Sequence, residues 1–186
     1  MELELPDPCL VVLVGAAGSG KSTLAARLFR AHEILSSDAY RELVSGDPAD
    51  QRVTKVAFSI LHRELDRRLA AGLTTVVDAT NVTGYARRSL LRRATANHVP
   101  AVAIVLDLEA TLVQARNATR QGRIVPTEAV EQQLAALNRS LRREDFAHEG
   151  FAAIHVIRTA EELDGLTRSP GLDADSVAGN SQPRTE

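Results

Sequence analysis

The chain has 186 residues, is 44% hydrophobic and 25% charged, and carries a formal net charge of −2. That length holds one sizeable α/β domain, and the charge excludes attraction to nucleic acid by the whole chain. Cys9 is the single cysteine, so no disulfide framework exists and a reducing cytoplasm fits.

No apolar run reaches membrane-spanning length. The short acidic start Met1-Glu2-Leu3-Glu4 is wrong for a signal peptide. The expectation is a cytoplasmic protein with no membrane partner. The basic residues are nearly all arginine, with Lys21 and Lys55 the exceptions. The five histidines show no metal-ligand spacing, and Cys9 reads as a small core residue.

Met1 to Pro8 is a lead-in with two prolines. The apolar run Cys9 to Val14 reads as a buried first strand. A glycine-rich turn, Gly15 to Ser22, follows, and Ser22 to Ala31 reads as a helix. Glu33 to Ser36 is a short second strand, Ala39 to Val44 a short helix, and Ser45 to Pro48 a turn. Ala49 to Ala71 carries apolar residues at helical spacing and is ended by Gly72.

Leu73 to Val77 is a third strand, closed by Asp78-Ala79-Thr80-Asn81. Thr83 to Asn97 is helical and carries Arg87, Arg88, Arg92 and Arg93, which read as a solvated basic face. Pro100 to Leu106 is almost unbroken in its apolar character, as in strands buried on both faces. Glu109 to Thr119 and Thr127 to Leu141 are helices, separated by a break at Arg120 to Pro126. Ala152 to Ile157 is a fifth strand, and Glu161 to Leu163 adds a last turn. Ser169 to Glu186 is rich in Ser, Pro, Gly, Asp and Asn. It reads as a disordered tail or linker after a domain spanning residues 1–168. Alternating strands and helices predict an α/β fold, with a roughly five-stranded parallel sheet and helices on both faces. Ligands of such sheets bind at the carboxyl ends of the strands.

The chemistry is carried by Gly15-Ala16-Ala17-Gly18-Ser19-Gly20-Lys21-Ser22, which fits the phosphate-binding pattern G-x-x-x-x-G-K-[ST]. Glycines let the backbone curl so that its N–H groups face an anion, and the following helix adds its positive end. Lys21 can reach the β- and γ-phosphates of ATP, and the Ser22 hydroxyl can hold Mg²⁺. Asp78 closes an apolar strand, where a second acidic group would hold Mg²⁺ or its waters. Asn81 is a weaker candidate for the same neighbourhood. Asp38 can act as a base that accepts or orients the proton of an attacking hydroxyl. A helix N-cap is its other reading, with Ser36 and Ser37 available to cap instead. Arg41, three residues on, falls on the same helical face and could clamp a phosphate. Arg116, Arg120 and Arg123 surround the glycine-containing break, as on a mobile lid that balances phosphate charge.

Taken together, four stretches resemble a known family. They are the phosphate loop through Thr23, Ile34 to Asp38 with Arg41, Thr75 to Asn81, and Arg116 to Arg123, with Leu43 to Lys55 between. The chain resembles the N-terminal kinase module of bacterial polynucleotide kinase-phosphatase, an RNA-repair enzyme, over about Cys9 to Leu163. The resemblance implies a P-loop kinase fold with an arginine-bearing lid. It also implies transfer of the γ-phosphate of ATP to a 5′-hydroxyl end of RNA or DNA. It carries over Lys21, Asp38, Arg41 and Arg116 as catalytic residues. Gly15 to Thr23 with Arg120 and Arg123 would bind nucleotide, and Ser22 and Asp78 would bind metal. Family members continue into phosphatase and ligase-like domains, so such domains or RNA-repair proteins are the implied partners. Two alternatives stay open. One is a P-loop kinase of a small hydroxylated metabolite or antibiotic, and the other a non-catalytic ATP-binding switch. With 3% aromatic residues there is no obvious platform for stacking bases.

Overall fold

A computed structural model describes residues 2–120 and 124–169. Its centre is strand β2 (Leu10–Val14), every residue of which is buried. A parallel sheet forms around it from β3 (Ile34–Ser36), β4 (Thr75–Asp78), β5 (Ala101–Leu106) and β6 (Ala153–Ile157), in the order β3-β4-β2-β5-β6. The register pairs Leu10 with Thr75 on one side and with Ala101 on the other. Chain order reverses direction across β2, so the crevice at its carboxyl end lies where such folds place a ligand.

Residue alternation along the strands divides the core into two layers. Val11, Leu13, Val76, Ile104 and Ile157 face one cluster, shared with α1 (Lys21–Leu28) and α5 (Ala110–Ala118). Leu10, Val12, Val77, Ala103 and Val105 face the other, packed on α3 (Thr54–Ala70) and α4 (Gly84–Ala96). Helix α6 (Thr127–Arg142) gives Val130 to the first layer and Leu137 to the second. The expected parallel five-stranded sheet with helices on both faces is therefore present.

Several boundaries differ from the sequence reading, each for a local reason. The first helix stops at Leu28 because Phe29 turns extended and buries its ring, over which Arg168 stacks at 4.8 Å. Arg30 is also extended, and its N–H donates to Glu33 Oε2 at 2.6 Å, which closes a 3₁₀ turn over Ala31–Glu33. The long third helix starts at Thr54 rather than Ala49. Side chains of Asp47 and Asp50 accept the Ala49 and Arg52 N–H groups at 2.8 and 2.9 Å, which holds a turn at Asp47 and caps a 3₁₀ turn over Gln51–Val53 ahead of the α-helix. Helix α2 (Ser37–Ser45) begins two residues early. Helix α7 (Asp145–Glu149) was not expected. The lead-in forms β1 (Glu2–Leu3), paired in parallel with β7 (Thr167–Arg168) after α8 (Ala160–Asp164). The Ser169 N–H adds a bond to Leu3 O at 3.1 Å. The rest of the expected tail lies outside the described residues.

Arg87 overturns the reading of its helix as a uniformly solvated face, because it is fully buried. Its guanidinium donates to both carboxylate oxygens of Glu149, at 2.6 and 2.7 Å, and to Ser140 Oγ at 3.0 Å. A further bond reaches Asn81 O at 3.2 Å, and the group lies 4.1 Å over the Phe146 ring. It thus joins α4, α6, α7 and the loop after β4. Cys9 is buried as expected, and burial pushes its thiol up to about 11. No helix among the described residues is long and apolar enough to cross a membrane.

Removing one member of a buried ion pair leaves the other charge uncompensated, which costs about 3–5 kcal/mol. Arg87→Ala is therefore expected to lower the unfolding free energy in urea by that amount. A loss under about 1 kcal/mol would mean that Glu149 finds water or another partner.

Candidate active site

The loop after β2 is held in shape before any ligand arrives. The Gly15 N–H donates to Thr80 O at 3.0 Å, and Asn81 Nδ2 donates to Leu13 O at 2.9 Å. These bonds lash the loop after β4 to the end of β2. Asn81 adopts φ 47°, a left-handed conformation that asparagine tolerates. Its amide is committed to the backbone, so it braces the site rather than lining the cleft.

Gly18 is required by the packing of α5. It has φ +86°, and a Cβ there would stand 2.4 Å from Val113 O. Gly20, at φ +97°, is the N-cap of α1, and no side chain caps that helix. The first N–H groups of α1 thus keep no side-chain partner at the cap, and its first turn holds no acidic residue. Both features favour an anion there.

Lys21 is 7% exposed, and its ammonium donates to Ala16 O at 2.8 Å and to Ser19 Oγ at 3.4 Å. Burial pulls its pKa down to about 8, against the opposing pull of the Asp78 carboxylate. Asp78, at the end of β4, is buried, which pushes its carboxyl upward. A hydrogen bond with the Ser22 hydroxyl and the charge of Lys21 pull it back. Ser22 and Asp78, predicted separately, are therefore direct neighbours.

Asp38 lies inside the first turn of α2, with Ser36 at the N-cap position. It is not the helix cap. The Ser36 side chain does not cap either, so the expected substitution of one cap for another does not occur. Asp38 pairs with Arg41, whose Nε donates to Pro48 O at 2.9 Å and whose side chain is buried. Arg120 reaches Asp38 Oδ2 at 3.6 Å. One arginine of the break thus stands against the acidic residue of α2.

These groups share a cleft of about 560 Å³. Ala17, Gly18, Gly20, Lys21, Ser22 and Thr23 line it from the loop and α1, with Asp38, Arg41, Asp78, Arg116 and Arg120 from the surrounding elements. Gly15, Ala16 and Ser19 form the buried base of the loop. Arg123 lies outside the described residues. Among the other lining residues to which the sequence reading gave no role are Gln51, Thr54 and Phe58 around the start of α3, and Gln133 on α6. Only the helical phase of Thr54 and Phe58 hints at a shared face, and nothing local marks Gln133. Asn117 was also missed. Its amide pins the end of the arginine break by donating to Val125 O at 2.8 Å and accepting from Val125 N at 3.2 Å.

A glycine-rich loop between the central strand and its helix, with an acidic residue closing the adjacent strand, defines the P-loop kinase fold. The chain belongs to the AAA domain family, whose model matches residues 10–143. A solved structure of the Pnkp1/Rnl/Hen1 RNA repair complex contains a similar chain, 20% identical with a TM-score of 0.63. The likeness covers 75% of this chain and 47% of that one, so this chain spans just under half of its length. A gluconokinase from Sinorhizobium meliloti 1021 is 20% identical, with a TM-score of 0.54 over 86% of this chain and 87% of its own. The AvrRxo1-ORF1:AvrRxo1-ORF2 complex solved with ATP is 16% identical, with a TM-score of 0.65 over 83% and 55%. At these identities the likeness is one of fold. No match was found among curated protein sequences.

Two glycines separate local strain from damage to the site. Gly46 also has positive φ (+76°), but a Cβ there would meet nothing within 4 Å. Gly46→Ala is expected to cost only the left-handed penalty, about 1–2 kcal/mol. Gly18→Ala should cost more and also abolish ATP binding in calorimetry. Equal stability losses in the two variants, with ATP binding intact in Gly18→Ala, would contradict the packing of α5 on the loop.

Proposed function

We propose that this chain is an ATP-dependent phosphotransferase with an alcohol acceptor, and that the acceptor is the 5′-hydroxyl end of RNA or DNA. The observation that carries the reading is Asp38, fixed by Arg41 in the cleft that also holds Lys21. A nucleotide-binding switch needs no acceptor base, so this pair favours a transferase. The residues present fit a triphosphate. Gly18 and Gly20 take the positive φ that curls the loop, α1 starts without a side-chain cap, and Lys21 brings a buried cation.

In this reading the loop from Gly15 to Thr23 binds the ATP phosphates through backbone N–H groups and Lys21. Ser22 and Asp78, which line the same cleft, would hold Mg²⁺, which neutralises phosphate charge when bound. Arg116 and Arg120, with Arg123, form a lid that offsets negative charge on the nucleotide. Arg41 positions Asp38 and contacts the phosphoryl group in transfer. Asp38 orients the acceptor hydroxyl and takes its proton as the new bond to phosphorus forms. A free alcohol is a far weaker acid than a carboxylic acid, so this transfer assists only in the transition state.

The polynucleotide acceptor is supported by the combination of motifs and by the similarity to a chain of an RNA-repair complex. The domain would span residues 1–168, followed by a disordered tail or linker over 169–186, with phosphatase or ligase domains or RNA-repair proteins as the proposed partners in the cytoplasm. A second reading, a kinase of a small hydroxylated metabolite, is favoured by the match to a gluconokinase over most of that protein's length. Phe58 is also the one aromatic residue lining the described cleft, which offers little area for stacking bases.

General-base assistance is worth about 10²–10⁴-fold. Asp38→Asn, close in size but unable to take the proton, is expected to lower single-turnover transfer to a 5′-hydroxyl oligonucleotide by about that factor. Its ATP affinity by calorimetry should stay within about threefold. Wild-type turnover in this variant would remove the base from the mechanism.

A further inference from the structure

Gln133 is a polar side chain in the cleft for which the motif-based reading has no use. It is half-buried on α6, just beyond the arginine break, and lines the cleft. Its Oε1 accepts the Ala17 N–H at 2.8 Å, across 116 residues of sequence. This bond fixes the orientation of the amide. A flipped side chain would set an NH₂ group against the N–H of Ala17, donor against donor. The Oε1 is therefore committed to the loop, and the two N–H groups of Nε2 are the part left to meet a ligand.

The position along the loop indicates which part of a ligand that is. Ala16 and Ala17 form the shoulder of the loop that precedes its last glycine and α1. The Lys21 ammonium, which reaches the β- and γ-phosphates in this motif, donates to Ala16 O. Ala17 thus follows the residue whose carbonyl holds that ammonium. Lys21, Arg116 and Arg120 supply positive charge in the same cleft, and a neutral amide donor adds directional bonds to an anion already attracted there.

The geometry points to Gln133 as a phosphate-binding residue, whose Nε2 donates to the terminal phosphate of ATP while Ala17 holds its amide in place. This rests on the nucleotide reading above and deepens it. It assigns a ligand contact to α6, and it couples the loop to the element that follows the arginine break. A nucleotide lacking the terminal phosphate would not meet this donor.

Gln133→Glu tests the claim, because a carboxylate still accepts the Ala17 N–H but offers no donor and repels phosphate. Calorimetric titration with ATP and with ADP, alongside thermal melting, is the measurement. The expected result is ATP affinity weakened by about tenfold or more, ADP affinity within about threefold, and an unchanged melting temperature. Gln133→Ala, which loses both the donor and the tie, should show the same preference against ATP. Wild-type affinity for both nucleotides in either variant would overturn the assignment. So would an equal loss for ATP and ADP with a lowered melting temperature, which would make Gln133 a structural tie. If the unaltered protein binds neither nucleotide, the nucleotide reading itself fails and this assignment with it.

Discussion

Everything at the site depends on a lysine kept charged inside the protein. Lys21 sits at the start of α1 with almost no exposure, and burial alone would favour losing its proton. The surroundings compensate with an acceptor at Ala16 O, the hydroxyl of Ser19, and the charges of Asp78 and Asp38 nearby. A buried cation of this kind attracts a polyanion far more strongly than a solvated one, because water screens it less. The same constraint accounts for the glycines. The backbone must curl tightly to bring the chain from β2 into α1, and α5 leaves no room for a side chain at Gly18.

The frame that holds this loop extends well beyond it. Thr80 and Asn81 fasten it to the end of β4, and Arg87 holds Asn81 through its carbonyl. Arg87 is in turn clamped by Glu149 on α7 and Ser140 on α6. A chain of bonds therefore runs from the back of the second core layer to the floor of the cleft. On the other side Gln133 ties the shoulder of the loop to α6. The phosphate cradle is thus braced by residues distant in sequence, as preorganised electrostatic sites require.

How much of this was legible depends on the range of the interactions involved. The loop, the sheet and the proximity of Ser22 to Asp78 could be read because the motif demands particular residue types and buried strands show as apolar runs. Asp38 and Arg41 could be paired because three residues separate them on one helix. The end of α1 could not be read, since Phe29 leaves the helix to meet Arg168, which lies far along the chain. Arg87 was misjudged for the same reason. Its own helix is arginine-rich, and the partners that bury it, Ser140 and Glu149, lie 53 and 62 residues away. Pieces as short as β1, β7 and α7 carry no periodicity to detect. Gln133 was invisible because its partner is a backbone N–H.

The central claim is that the cleft transfers phosphate from ATP to a hydroxyl held at Asp38. Incubation with γ-labelled ATP, Mg²⁺ and a panel of 5′-hydroxyl oligonucleotides and small alcohols tests it most directly. The account predicts label on the 5′ end of the oligonucleotides and none on the same oligonucleotides already 5′-phosphorylated. Label on a sugar or other small alcohol alone would contradict the polynucleotide acceptor, and label on no acceptor at all would contradict the transferase.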